Sequence, residues 1–177
     1  MKTNMAALAA SSVLALWAGS ADAQDFGAAF SGFDAGSGDA IQIEADRLEV
    51  HDAEKLAIYT GNVKVRQGIT ILEAPALTVF YSGEPTATGA PGSEVARIEA
   101  GPDVEVRSDD QTASGDQVVL DMANDLVTVT GNVVLTQGPN VVRGERLVVD
   151  LETKRGRMEG GRVQTLITPT GGQPRTQ

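Results

Sequence analysis

The sequence predicts an all-β protein, and three observations carry that prediction. The apolar share is 41% while aromatic residues are only 4%, so the core has to be assembled from Val, Leu and Ile, residue types that are mostly branched and suited to a pleated sheet. Apolar and charged residues alternate with a period of two: Leu48 and Val50 with Glu49 and His51, Val63 and Val65 with Lys64 and Arg66, Val104 and Val106 with Glu105 and Arg107. Such alternation gives a strand one apolar and one polar face. Finally, the chain repeats itself without a gap at an offset of 70 residues: Asp46 falls on Asp116, Thr60-Gly61-Asn62-Val63 on Thr130-Gly131-Asn132-Val133, Gln67-Gly68 on Gln137-Gly138, and Leu77 and Val79 on Leu147 and Val149. A repeat of strand units predicts a stack of similar sheet turns.

Residues 1–23 read as a cleaved secretory signal. Lys2 precedes a mostly apolar run from Met5 to Ala18, and Ala21-Asp22-Ala23 supplies the small-x-small cleavage pattern. The run is shorter than the roughly 20 apolar residues of a spanning helix. The chain from Gln24 would hold no tryptophan and has no cysteine, so disulfides and thiolate metal sites are excluded. Residues 24–40 are Gly/Ala-rich and expected to be flexible, although Phe26, Phe30 and Phe33 are spaced for one helical face. Residues 41–168 carry the repeat and form the β domain. Within it a looser half-period recurs, with Leu/Val pairs at Leu48/Val50, Leu77/Val79, Val118/Leu120 and Leu147/Val149, followed by glycines at Gly61, Gly101, Gly131 and Gly160 or Gly161. The apolar parity shifts between Ile41/Ile43 and Leu48/Val50. A one-residue shift flips the faces unless the strand bends, so a corner is expected there, and another near Pro75 between Ile71 and Leu77. Hairpin connections are expected at residues 52–55, 123–125 and 152–154. Residues 82–93 (SGEPTATGAPGS) read as a Gly/Pro/Thr-rich surface insertion, and residues 169–177 as a disordered polar tail.

The phrase IQIEADRLEVHDAEKLAIYTGNVKVRQG and its second copy, GDQVVLDMANDLVTVTGNVVLTQG, resemble the OstA-like family of lipopolysaccharide-transport proteins, and within it the periplasmic bridge component. The resemblance spans about Ile41 to Ile167 and rests on Ile41-Gln42-Ile43-Glu44, Asp46, Thr60 to Val63, Gln67-Gly68 and the copy from Thr130 to Gly138. It implies a twisted, open β-jelly roll of antiparallel strands in the periplasm, with lipopolysaccharide acyl chains held in the apolar interior. It also implies head-to-tail stacking of copies, capped by an inner-membrane LptC-like protein and an outer-membrane LptD-like protein. The cleavage motif separates this chain from the anchored inner-membrane relative, and its length from the relative that continues into a large barrel. The insertion at 82–93 is this sequence's own.

A lipid carrier needs no catalysis, metal or cofactor, only an apolar surface shielded from water. The groove residues expected from the alternation are Ile41, Ile43, Leu48, Val50, Ile58, Val63, Val65, Leu77, Val79, Val104, Val106, Leu120 and Leu147; the same residues could instead fill a dry core. The first and last strands should be exposed edges able to pair with another copy, which places Gln42 and Glu44 at one end and Arg162, Gln164 and Leu166 at the other. The net charge of −10 excludes nucleic acid as a partner and is unevenly spread. Residues 24–54 carry −7, residues 55–140 carry −6 and residues 141–177 carry +3. An acidic first end could therefore meet a basic last end, supplied by Arg143, Arg146, Lys154, Arg155, Arg157 and Arg162; the alternative is an ordinary solvated face. Two other functions stay open on the residues alone: a structural β-solenoid filament without lipid, and a hydrolase of envelope sugars. The hydrolase lacks a placed pair of carboxylates, since Asp109-Asp110 falls in a turn. His51 points outward, and Gly61-Asn62 and Gly131-Asn132 fit backbone turns rather than phosphate loops.

Overall fold

Each repeat unit is built on a strand too long to stay flat, and the fold follows from where those strands bend. The structure, a computed structural model, describes residues 28–30, 32–33, 39–82 and 94–168. Among these residues it holds a short 3-10 turn, Ala28–Phe30, and twelve strands: β1 Gln42–Glu44, β2 Arg47–His51, β3 Leu56–Gln67, β4 Thr70–Ser82, β5 Glu94–Gly101, β6 Val104–Ser108, β7 Gln111–Gly115, β8 Gln117–Asp121, β9 Leu126–Gln137, β10 Asn140–Asp150, β11 Arg155–Glu159 and β12 Gln164–Leu166. All pairings are antiparallel. The cleavage motif, the 83–93 part of the insertion and the tail after Thr168 lie outside the described residues.

The long strands β3, β4, β9 and β10 each serve two partners. The first half of β3 pairs with β2 and its second half with β1. Likewise β4 pairs with β6 and then β5, β9 with β8 and then β7, and β10 with β12 and then β11. The sheet is thus folded along one line into two leaves. One leaf runs β2, β3, β4, β5, β8, β9, β10, β11; the other runs β1, β3, β4, β6, β7, β9, β10, β12. Inward-facing side chains of both leaves form one apolar cluster. This is the antiparallel, open jelly-roll arrangement that the family resemblance implies, and it contains the stacked sheet turns that the repeat predicts.

The fold line passes through the residues the repeat singles out. The β3–β4 register shifts between Thr60 and Val63, where Gly61 and Asn62 lie opposite Pro75; both have positive φ, 81° and 48°. The β9–β10 register shifts at the equivalent place, with Gly131 (77°) and Asn132 (47°) opposite Glu145. Glycine and asparagine occupy this left-handed region at little cost. An aspartate secures each corner. The Asp46 N–H donates to the Gly61 carbonyl at 2.9 Å, and Asn62 Nδ2 donates to Asp46 Oδ2 at 2.8 Å. In the second copy the Asp116 N–H donates to Thr130 O at 2.9 Å, and Asn132 Nδ2 to Asp116 Oδ2 at 3.2 Å. Gly101-Pro102, joined by a cis peptide, makes the corner between β5 and β6, and Gly160-Gly161 the one between β11 and β12. Corners stand where the parity shifts between Ile43 and Leu48 and at Pro75. In β4, however, Ile71 is on the outer face, and Thr70, Leu72 and Ala74 point inward.

Away from the corners the strands end in short turns that form two lips. One lip carries the turns near 52–55, 122–125 and 151–154; the other carries Gly68-Ile69, Asp109-Asp110 and Gly138-Pro139. Side chains stabilise the first set: Asp121 Oδ1 accepts from the Ala123 and Asn124 N–H groups at 3.2 Å, and Asp150 Oδ1 from the Thr153 N–H at 2.7 Å. This last bond holds the Asp150 carboxyl below its ordinary pKa. On the outer face of β4, the hydrogen bond from Lys64 does the same for Glu73.

Two outcomes follow. A Cβ at Gly131 would sit 2.1 Å from Asp116 Oδ2 at a φ of 77°, so Gly131→Ala should cost on the order of 2 kcal/mol and lower the thermal midpoint by roughly 4–8 °C in a circular-dichroism melt. Because the Asp150 and Glu73 pKa values are depressed on folding, their contribution is full above the ordinary carboxylate range and lost as pH falls through the folded values. The midpoint should therefore fall below about pH 4, and Asp150→Asn should weaken that dependence in melts run across pH.

Candidate apolar groove

The space between the leaves is walled by alternate residues of every long strand. Val63, Val65, Leu72, Val104, Val106, Ala113, Val133 and Leu135 come from one leaf, and Ala57, Leu77, Val79, Ile98, Val118, Leu120, Val127, Val129, Leu147 and Val149 from the other. None is more than 4% exposed, so the middle of the interior is filled by its own side chains. Tyr59 and Tyr81 are the aromatic rings of the strand walls at these buried positions; burial pushes the Tyr59 phenol above its ordinary pKa, and the Tyr81 hydroxyl reaches Asp52 Oδ1 at 3.1 Å.

Eight of the residues expected to line a groove, Val63, Val65, Leu77, Val79, Val104, Val106, Leu120 and Leu147, stand on this inner face and are buried. Ile41 and Ile43 pack against the cluster from its first end, half-buried. Ile58 does not belong with them. It alternates with buried Ala57 and Tyr59, pairs with Glu49 and Thr78, and stands on the outer face. The error is one of parity, because in β3 the sequence IleTyrThr offers an apolar residue on both faces.

Leu48 and Val50 present a different case. Their partners across the β2–β3 pair are Tyr59 and Ala57, both inward, and directly opposite residues share a face. Yet Leu48 is 47% and Val50 39% exposed. They line the interior at its first end, where no further strand covers them among the described residues. The last end is similar. Met158, opposite Leu147, packs on the cluster while half-buried, and Val163 and Ile167, which share the parity of Thr165 opposite inward Val142, are exposed, whereas Leu166, opposite Val141, stands on the outer face. Both ends of the interior are therefore apolar and open.

The edges are double, because each leaf has its own. Gln42 and Glu44 lie on β1, as expected, but β2 forms a second edge beside it. At the other end Gln164 and Leu166 lie on β12 and pair with Arg143 and Val141; Arg162 precedes the strand, and β11 is the companion edge. The outer face carries the charges. A surface depression of about 790 Å³ by the first corner is lined by Glu44, Lys64, Glu73, Glu105 and Arg107 together with Val63, Ala74 and Pro75. His51 sits on the outer face with Nδ1 3.1 Å from Glu54 Oε2. Asp109-Asp110 forms a lip turn, with the Asp110 carbonyl accepting from the Gly138 N–H at 3.3 Å. Among the described residues no helix is long and apolar enough to cross a membrane, and no three His, Cys, Asp or Glu side chains could hold a metal ion.

Two features of the interior escaped sequence reasoning. The described part of residues 24–40 includes a docked piece: Ala29, Phe30 and Phe33 are fully buried in the cluster. The Phe30/Phe33 spacing was its signal, within a stretch expected to be flexible, and what forms there is one 3-10 turn. The inner face also ends, at the second lip, in buried polar residues: Gln67, Thr70, Ser108 and Gln111. Gln67 and its repeat mate Gln137 were visible as a repeated residue, but nothing in the sequence marked them as inward-facing.

Comparison with known proteins agrees with this architecture. Residues 42–155 match the family described as LptA/(LptD N-terminal domain) LPS transport protein. A protein of Rhizobium meliloti (strain 1021), itself uncharacterized, is 39% identical over 132 residues, covering 73% of this chain and 71% of that one. The lipopolysaccharide export system protein LptA of Escherichia coli (strain K12) is 27% identical over 137 residues, with the same shares covered. In fold, the chain is similar to LptH, the LptA-homologous periplasmic component of the lipopolysaccharide transport device of Pseudomonas aeruginosa, with a TM-score of 0.63 at 18% identity, covering 74% of this chain and 96% of that one.

The inner and outer faces of one strand should respond differently to the same change. Val65→Ser should cost about 2–3 kcal/mol by leaving a cavity and a buried hydroxyl, while Ile58→Ser should cost less than about 1 kcal/mol. Urea unfolding of the two variants measures both.

Proposed function

Because the chain belongs to the LptA/(LptD N-terminal domain) family of LPS transport proteins, we propose that it is a periplasmic bridge protein that binds lipopolysaccharide by its acyl chains and passes it between the membranes. The observation that carries this reading is the apolar interior left open at both ends, with Leu48 and Val50 facing inward yet exposed. Burying hydrocarbon is worth about 0.8 kcal/mol per CH₂, so a twelve-carbon chain moved from water into such a site gains on the order of 9 kcal/mol before ordering costs. No reaction is required of the protein. Copies would join head to tail, with β1 and β2 of one molecule against β11 and β12 of the next, so that the two interiors become continuous. The LptC-like and LptD-like partners would use the same edges at the two membranes. The acidic stretch of residues 24–54 and the basic stretch from Arg143 to Arg162 would set the direction of stacking more than its strength. A leader at residues 1–23 would deliver the chain to the periplasm.

A lipid-free filament shares the edges but not the cargo, and one preparation separates the two. The chain from Gln24 should capture lipopolysaccharide in a detergent-free pull-down, and its sedimentation coefficient should rise with protein concentration. Replacing Leu166, 62% exposed on edge strand β12, with proline should suppress the concentration dependence, because a proline cannot donate to an added strand. Assembly without capture supports the filament; capture without any assembly contradicts the head-to-tail bridge.

A further inference from the structure

The buried phenylalanines occupy a place that the strands leave open. Two leaves joined only along a line of corners have an unjoined side, and among the described residues no strand pairing links the two lips. The Ala28–Phe30 turn lies against β6 and β7 there. Phe30 and Phe33 are the largest of the fully buried side chains, and the Phe33 N–H closes the turn on the Phe30 carbonyl at 2.9 Å. Gly32 is pressed on the lip: a Cβ there would lie 2.6 Å from Thr70 Cβ and 2.9 Å from the Gln67 carbonyl oxygen.

Beneath this segment the wall changes character. Inner-face positions along β3, β4, β6 and β7 are apolar until the last rung, which is Gln67, Thr70, Ser108 and Gln111. Thr70 Oγ1 and Ser108 Oγ are 2.9 Å apart. All four are 3% exposed or less. Gln137, at the same rung of β9 and paired with Gln111, is only half-buried. Four neutral amide and hydroxyl groups rim an apolar slot. Gln67 Nε2 donates to the Asp39 carbonyl at 3.2 Å, and the pattern of apolar wall and neutral polar rim matches a ligand with a hydrocarbon body and a neutral ester or amide at its head.

We propose that the Phe30/Phe33 segment is an internal occupant of an acyl-chain subsite, displaced when lipid binds, and that the Gln67, Thr70, Ser108 and Gln111 rim then receives the ester or amide linkage of the acyl chain. The inference rests on the lipid-binding reading above and adds where the chain enters and what it must move. Two aromatic rings hold the slot closed against water while it is empty. They also tax binding, because only the fraction of molecules with the segment lifted is competent.

The test uses the chain from Gln24, in which Phe33→Trp introduces the only tryptophan, since Trp17 lies in the leader. Its emission should be blue-shifted in the free protein and move to the red, saturably, as lipid A is added, with the far-ultraviolet circular dichroism unchanged. A second variant, Phe30→Ala with Phe33→Ala, should remain folded and bind lipid A about tenfold more tightly. Thr70→Val should bind it several-fold more weakly. Lipid A bound with the introduced indole still buried, or a double-alanine chain that binds no tighter than the parent, overturns the displaced segment. Unchanged binding by Thr70→Val overturns the rim. Absence of any lipid A binding, measured independently by pull-down, overturns the groove reading itself and the subsite with it.

Discussion

The fold depends on one backbone constraint: every long strand must bend at the same height. At Gly61-Asn62 and Gly131-Asn132 the bend is made in the left-handed region, and Asp46 and Asp116 bind its free groups. The glycines cannot be replaced cheaply, since a Cβ at either would collide with the aspartate that secures it. Because the bends stack into a line, the sheet folds as a whole rather than strand by strand. The two leaves, their inward faces and their paired edges all follow from that line.

A sheet folded along one side has properties a closed barrel lacks. It keeps edges at both ends of the stack, and it keeps lips that no strand pairing joins among the described residues. Edges are ordinarily a liability; here β1 and β2 at one end and β11 and β12 at the other offer a continuation of the same architecture. Small branched walls suit this use. Val, Leu and Ile fill the interior without locking it around large rings, and the rings of Phe30 and Phe33 come from a segment outside the strands. The charged side chains stand on the outer face and the interior is apolar.

Much of this was legible in the sequence. The 70-residue repeat, the alternation, the hairpin turns and the bends at Ala45-Asp46 and Pro75 all appear where residue pattern places them, because each has a purely local cause. What was not legible depends on tertiary context. Ile58 is apolar on the wrong face, since β3 carries Ala57 and Tyr59 inward and the period alone cannot choose between two apolar parities. Leu48 and Val50 have the right face but remain exposed, because cover depends on how many strands the stack has beyond them. The docking of Phe30 and Phe33 was hidden in a Gly/Ala-rich stretch whose composition resembles a linker, and its structure comes from the slot it fills rather than from its own propensity.

The central claim is that the inner face of the folded sheet, and not its outer face, receives hydrocarbon. Methyl-labelled protein titrated with lipid A tests it without altering a single residue. The account predicts intermolecular nuclear Overhauser contacts from acyl methylene protons to the inward methyls of Val63, Val65, Val104 and Val106, and none to Ile58, Val119 or Val134 on the outer face. Contacts confined to the outer face, or spread equally over both, would contradict it.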